Sequence, residues 1–172
     1  MAENSKTLVP IRDQNEMLFN IEKFEQAQRV AKIFASSSFV PESFRGNIPN
    51  CFIALNMACR LGIDPYMVFQ NLYVVHGKPG LQAQLVIAMV NLSGPFKDPI
   101  QWEFEGSGKG RKCTAYGVLR STGNRCEASV TWELVEAEQW DKKAGSKWKT
   151  IPDQMFRYRS ATFLARLYCP EV

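Results

Sequence analysis

The stretch that most limits how this chain can fold runs from residue 100 to residue 134. Residues 100–106 (IQWEFEG) alternate apolar and polar side chains, the period of a strand with one buried face. Residues 113–120 and 125–134 read as two further strands, joined by the hairpin signal S-T-G-N. A flexible basic run, GSGKGRK, connects the first strand to the second. Connections this short make neighbouring strands antiparallel, so the block predicts a three-stranded β meander. The segments around it mostly carry helical periodicity. A small antiparallel sheet with about five helices segregated from it is an α+β fold.

Residues 1–15 are polar and read as a loose N-terminal arm, leaving residues 16–172 as one domain. Over residues 15–35, Met17, Leu18, Ile21, Phe24, Ala27, Val30, Ala31 and Phe34 recur at three and four, which predicts an amphipathic helix. Its apolar face must be covered by the core or by a neighbouring subunit. A loop, FVPESFRGNIP, leads to a second helix over 48–61, stopped by Gly62. Asp64-Pro65 reads as cap and first residue of a short helix. LYVV at 72–75 is a short strand, and GKPG is the turn after it, with Lys78 on that turn. Residues 81–92 form an apolar helix ended by S-G-P, and a short helix over 135–140 follows the strand block.

Composition excludes more than it selects. A hydrophobic fraction of 45% and a charged fraction of 22% are ordinary for a globular chain of 172 residues. No apolar run approaches ~18 residues, so no segment reads as a membrane span, and the N-terminus lacks the pattern of a signal peptide. Five cysteines without a C-x-x-C read as reduced thiols of a cytosolic chain. The single histidine, His76, excludes a multi-histidine metal site and reads as a surface or packing residue. G-x-S-x-G, H-E-x-x-H and the Walker A pattern are all missing. GSGKGRK has glycines and a lysine but not the spacing of a phosphate loop. Glu103 and Glu105 project to one side of their strand, as a two-metal nuclease would need, but the third acid of such a site is not recognisable.

The charge that stands out is local. From Lys142 to Arg166 there are seven cations (Lys142, Lys143, Lys147, Lys149, Arg157, Arg159, Arg166) against one acid, Asp153, while the whole chain nets +4. Such a cluster is the footprint of a polyanion site. Trp148, Phe156, Tyr158 and Phe163 lie among the charges, and cations for phosphates with rings for bases are what a single-strand binder needs. Trp148 and Phe156 read first as packing residues; Trp148 and Tyr158 are the rings that could stack on a base. Thr150 opens T-x-x-D, which resembles a capping box, and Pro152 suits the first turn of a helix that runs to Tyr168. Phe156, Phe163 and Leu167, widened by Leu164, predict its buried face. Met155, Arg159, Thr162 and Arg166 form a second stripe, with the two arginines about 10 Å apart along the axis. That spacing suits two non-adjacent phosphates of one strand.

An ordered set of motifs carries a resemblance. LGIDP, LYVVHGKPGLQAQLVIAMVN, CTAYGVLR, VTWE and KWKTIP–QM–RYRSATFLARL together resemble the RecT/Redβ family of phage single-strand annealing proteins, over about residues 50–169. The most specific piece is Trp148, Pro152, Met155, Arg157, Arg159, Ala165 and Arg166. The resemblance implies a three-stranded sheet backed by helices. It also implies ATP-independent annealing of complementary DNA strands by a homo-oligomeric ring or helical filament, with no required cofactor and Mg²⁺ at most a modulator. Carried onto this chain, the groove residues are Lys78, Arg120, Lys142 or Lys143, Arg157, Arg159 and Arg166. Redβ-like members often place two basic residues before the helix Met, where this chain has Asp153 and Gln154; Lys147 and Lys149 are the substitutes inferred here. The implied partners are single-stranded DNA, the annealed duplex intermediate, a 5′→3′ exonuclease and a host single-strand-binding protein, in the cytoplasm of a bacterial host. Family members continue past the point matching Val172, so the expectation is an N-terminal core without the part that meets the protein partners. Two other readings stay open: a metal-dependent nuclease on Glu103 and Glu105, and an interaction or assembly protein whose basic face binds an acidic partner.

Overall fold

The computed structural model describes residues 16–170, and the predicted arm over residues 1–15 lies outside them. The chain forms two compact units, one ending at Gly80 and the other beginning at Leu81.

In the first unit the predicted helix over 15–35 is two. α1 (Glu16–Phe19) ends at Asn20, whose side chain accepts a hydrogen bond from the Lys23 amide at 3.0 Å and so starts α2 (Ile21–Ser36). A 3-10 turn (Glu42–Phe44) precedes α3 (Ile48–Leu61), which is capped by Asn47 and stopped by Gly62 at φ 64°. α4 (Pro65–Asn71) begins at Asp64, whose carboxylate accepts from the Met67 amide at 3.2 Å. α2 and α3 pack closely because the residues between them are small: Ala27, Ala31 and Ala35 on one helix, Cys51, Ala54 and Ala58 on the other, all buried. Phe69 closes the end of this core, stacked on Phe34 at 4.6 Å and edge-on to Phe44 at 5.1 Å.

After α4 come β1 (Leu72–Val75) and β2 (Lys78–Leu81), a two-stranded hairpin. GKPG is therefore not the turn. His76 and Gly77 are, at φ 50° and 75°, the left-handed pair that fits the twist of a two-residue hairpin. Lys78 starts the second strand instead of sitting on the turn. Gly80 lies under the Tyr73 ring, where a Cβ would come within 2.7 Å of it.

The second unit holds the expected meander. α5 (Ala83–Ser93) leads to β3 (Gln101–Glu105), β4 (Lys112–Val118) and β5 (Arg125–Thr131), antiparallel in the order β3-β4-β5, with Phe104 opposite Cys113 and Cys113 opposite Val130. The S-T-G-N connection turns through Gly123 at φ 75°. β5 stops three residues earlier than expected. Thr131 caps the next helix, accepting from the Leu134 amide at 3.2 Å, so α6 is Trp132–Ala137 and not 135–140.

α7 (Pro152–Tyr168) and α5 pack together, and α7 lies on one face of the sheet. Phe156, Ser160, Ala161, Leu164 and Ala165 are buried there, over Cys113, Ala115, Ala128 and Val130. Small residues at the crossing let the helix come close. Ser160 returns its hydroxyl to the Phe156 carbonyl at 2.8 Å and meets the Cys113 sulfur at 3.6 Å. Gly117 leaves room for the Phe96 ring, since a Cβ there would be 2.6 Å from it. Leu167 departs from the expected buried face. It keeps the angle of Phe156 around the axis but lies in the last turn and is 65% exposed. None of the described helices is long and apolar enough to cross a membrane.

Candidate functional site

The basic segment folds as a run of turns followed by α7. Amides of Lys142, Ser146, Lys149, Thr150 and Ile151 each donate to a carbonyl three or four residues back. Such consecutive turns leave Lys142, Lys143, Lys147 and Lys149 exposed while Trp148 turns inward. Ser146 ties the run together: its hydroxyl donates to the Trp140 carbonyl at 2.7 Å and accepts from the Trp148 amide at 3.3 Å. The two indoles it brings together stack at 5.7 Å and 24°.

Thr150 does not cap α7. Ile151 occupies the cap position without a side-chain bond, and Pro152 is in the first turn as expected. Asp153 is committed elsewhere, to Arg111 at 2.7 Å. The one acid within the basic segment is therefore neutralised by a cation from outside it.

Around α7, residues two apart point ~200° apart. Arg157 and Arg159 accordingly leave the helix on opposite sides. The Arg157 guanidinium is 5.2 Å from the Phe104 ring centroid, which Arg111 also approaches at 4.8 Å. Arg159 lies 3.9 Å over Trp140 and 5.5 Å from Phe163. Arg166 is exposed on the Arg159 side, in the last turn, where a cation also complements the helix dipole. Trp148 is 5% exposed, stacked on Trp140 and edge-on to Phe156 at 5.0 Å, so this ring packs and offers no face for a base. Tyr158 is half-buried, and its hydroxyl accepts from Gln154 at 2.8 Å.

Two further candidates belong to other parts of the chain. Lys78 belongs to the first unit. Arg120 sits at the meander tip, where its Nε donates to the Phe96 carbonyl and its amide to the Pro95 carbonyl. Part of its role is to hold that loop. Sequence reasoning passed over Lys109 and Arg111, which bring cations to the start of α7, and Trp140, the platform under Arg159. The signal for Trp140 was its position on the far side of the lysine run from Trp148. The region also has an acidic border: Glu133, Glu136, Glu138 and Asp141 lie on α6 and just after it.

GSGKGRK forms a 3-10 turn (Gly108–Gly110) between strands and opens no helix. Lys109 pairs with Glu136 at 3.1 Å, and that bond, together with one from the Trp132 indole N–H, holds the Glu136 carboxyl below the usual carboxylate range. The outer face of the sheet carries three acids, Glu103, Glu105 and Glu127, paired with two cations, Arg125 and Lys112. Arg125 grips both oxygens of Glu103, at 2.6 and 3.2 Å, bonds Glu127 at 2.9 Å and lies 3.9 Å over Tyr116. Its hydrogen bonds push Glu103 below the usual carboxylate range. Glu105 faces Lys112 at 3.5 Å. A metal pair on this strand would first have to displace both cations. Among the described residues, no three His, Cys, Asp or Glu side chains are grouped as metal ligands. None of the five cysteines is in a disulfide, and burial pushes the Cys113 and Cys51 thiols up, which favours inert packing of these two over nucleophilic chemistry.

Compared with known proteins, the chain matches no protein-family model. No curated protein matches it either.

Proposed function

We propose that this chain is a single-strand DNA annealing protein that holds its strand by the phosphates. The observation that carries the reading is the basic turn run and helix: four exposed lysines leading into Arg159 and Arg166, with the segment's one acid already neutralised by Arg111. The ordered motifs ending in Trp148, Pro152, Met155, Arg157, Arg159, Ala165 and Arg166 support it through their resemblance to the RecT/Redβ family.

Annealing makes and breaks no covalent bond. It requires that repulsion between two polyanions be neutralised and that bases stay available to pair. Lysine and arginine contacts to phosphates do the first without reading sequence. The burial of Trp148 and Phe156 suits the second, because these rings do not compete for the bases. A protomer offers a handful of such contacts, so useful affinity comes from an oligomer that lines protomers along one strand. Leu18, Phe19, Ile21 and Ile33, 41, 83, 79 and 69% exposed on α1 and α2, are the apolar surface that supports a subunit contact. In this reading ATP has no role, Mg²⁺ at most modulates, and a 5′→3′ exonuclease and a host single-strand-binding protein are partners of the assembled form.

The test mixes two complementary labelled oligonucleotides with the protein, without ATP, and follows energy transfer across a salt series. The expected outcome is duplex formation faster than without protein at low salt, with the gain lost as salt rises. Binding without acceleration would reduce the reading to a plain single-strand binder. No binding at low salt would overturn it in favour of a protein that docks an acidic partner.

A further inference from the structure

We infer that Tyr73 and Lys78, on one face of the β1–β2 hairpin, take one nucleotide of a bound single strand, the ring stacking on its base and the ammonium meeting its phosphate. The inference rests on the proposed reading of the chain as a single-strand binder. It assigns the base contact to neither ring that the sequence suggests: Trp148 is buried, and Tyr158 is half-buried with its hydroxyl engaged by Gln154.

The turn builds the platform. His76 and Gly77, at φ 50° and 75°, close a two-residue hairpin, which sets Val75 opposite Lys78 and Tyr73 opposite Gly80. Residues opposite one another, and those two apart on one strand, share a face. Tyr73, Val75, Lys78 and Gly80 therefore form one surface. Lys78 is the diagonal neighbour of Tyr73, ~7–8 Å away across the strands, a gap its four-carbon stem spans. The Tyr73 ring lies against Gly80, where a Cβ would come within 2.7 Å of it, so the missing side chain gives the ring its seat. A tyrosine seated this way has little freedom left to lose on binding. It is nonetheless 43% exposed, and Lys78 is exposed as well. Among the described residues, neither the Tyr73 hydroxyl nor the Lys78 ammonium has a hydrogen-bond or ion-pair partner. The edge of the hairpin offers less than this face, because Pro79 has no N–H to give a further strand. A ring beside a cation is the pair of parts that holds a single strand without reading its sequence. Stacking occupies the face of a base and leaves its pairing edge open, as annealing requires.

The experiment measures anisotropy of two labelled strands of equal length, oligothymidine and a chain of abasic sites, against the full chain over a salt series. The variants are Tyr73→Val, Tyr73→Phe and Lys78→Ala, each checked for its melting temperature. Tyr73→Val keeps a strand-forming side chain and removes the ring. It is expected to weaken oligothymidine binding about fivefold or more, the low end of what one base–ring stack contributes, and to leave the abasic chain within about twofold. Its salt slope should match that of the unaltered protein. Tyr73→Phe keeps the ring and should stay within about twofold on both strands. Lys78→Ala should weaken both strands and lower the salt slope by ~0.7, the loss of one phosphate. If Tyr73→Val does not fold, the unaltered protein is irradiated with a strand carrying 5-iododeoxyuridine. An adduct on Tyr73 is then expected, and adducts confined to other residues overturn the inference. Unchanged oligothymidine binding in a folded Tyr73→Val or Lys78→Ala overturns it too and leaves the annealing reading standing. So does an equal loss of both strands with Tyr73→Val, which would make the ring a support of the hairpin. Failure of the unaltered protein to bind oligothymidine at low salt overturns the reading and the inference together.

Discussion

Two arginines of the second unit lie on aromatic rings at the same distance, 3.9 Å, and their surroundings differ entirely. Arg125 covers Tyr116 on the outer face of the sheet, with Glu103 and Glu127 bonded to it and with Lys112 and Glu105 paired alongside. Arg159 covers Trp140 beside a run of turns that exposes four lysines. The cation–ring contact has the same form in both, so it does not by itself assign a role. The charge around it does. On the sheet the guanidinium belongs to a paired cluster of three acids and two cations, which keeps an excess of negative charge. On α7 the guanidinium lies in a region where the exposed lysines of the turn run meet the acids on and just after α6. In the proposed reading a polyanion meets the turns and helix and not the outer face of the sheet, where acids outnumber cations.

The largest effect that tests this contrast is on the support beneath each ring. Phe156 is fully buried at the foot of the Trp148–Trp140 ladder. Phe156→Ala should cost about 3–5 kcal/mol of stability by urea unfolding, the range for truncating a buried ring. Tyr116→Ala, on the half-exposed side of the sheet, should cost under about 1 kcal/mol. Similar losses at both sites would mean that the sheet-face cluster also supports the core. A somewhat smaller effect concerns binding. Replacing Lys142, Lys143, Lys147 and Lys149 by alanine should weaken oligonucleotide binding about tenfold to a hundredfold at low salt. The salt slope should fall by ~0.7 for each phosphate that the variant no longer neutralises. Arg125→Ala should stay within about twofold of the unaltered protein, since Glu103 and Glu127 already more than offset its charge. A loss with Arg125→Ala comparable to that of the lysine variant would erase the distinction.

The outer face and the helix were legible in the sequence to different depths. The strands were readable because their alternation is local, and the meander has the expected order. α7 was readable because Pro152 and the apolar spacing are local too. What failed depended on a choice between two local signals or on a distant partner. V-T-W-E continues the strand pattern, yet Thr131 bonds the Leu134 amide and ends the strand early. T-x-x-D resembles a capping box, yet Asp153 pairs with Arg111 from the start of β4, 42 residues back. GKPG resembles a turn, yet His76 and Gly77 take the left-handed conformations and leave Lys78 on a strand. The cation cluster was visible from composition alone. That Arg157 and Arg159 diverge follows from helical geometry. Their platforms, Phe104 and Trp140, come from a strand and a turn that only the folded chain brings near.

The smallest expected effect is the pH dependence of the sheet-face cluster. The Arg125 hydrogen bonds hold the folded Glu103 carboxyl below its ordinary value. Such a group binds its proton more readily when the chain is unfolded, so protons favour unfolding. Its contribution is therefore complete above the ordinary glutamate range, declines as pH falls through that range, and is gone once the pH is below the depressed folded value. Both partners are about half exposed, side-chain exposure being 43% for Arg125 and 46% for Glu103, so solvent screening keeps the effect modest. Urea midpoints taken from about pH 7 down to about pH 3 should fall less steeply for Glu103→Gln than for the unaltered protein, with the two curves closest at the acid end. Lys147→Ala and Lys149→Ala, which belong to no part of that cluster, should leave the slope as it is. If Glu103→Gln instead parallels the unaltered curve at every pH, the ion pair contributes nothing that titrates. The outer face would then be held by the Tyr116 ring contact and the strand ladder, and its excess acid would matter only for keeping a polyanion away.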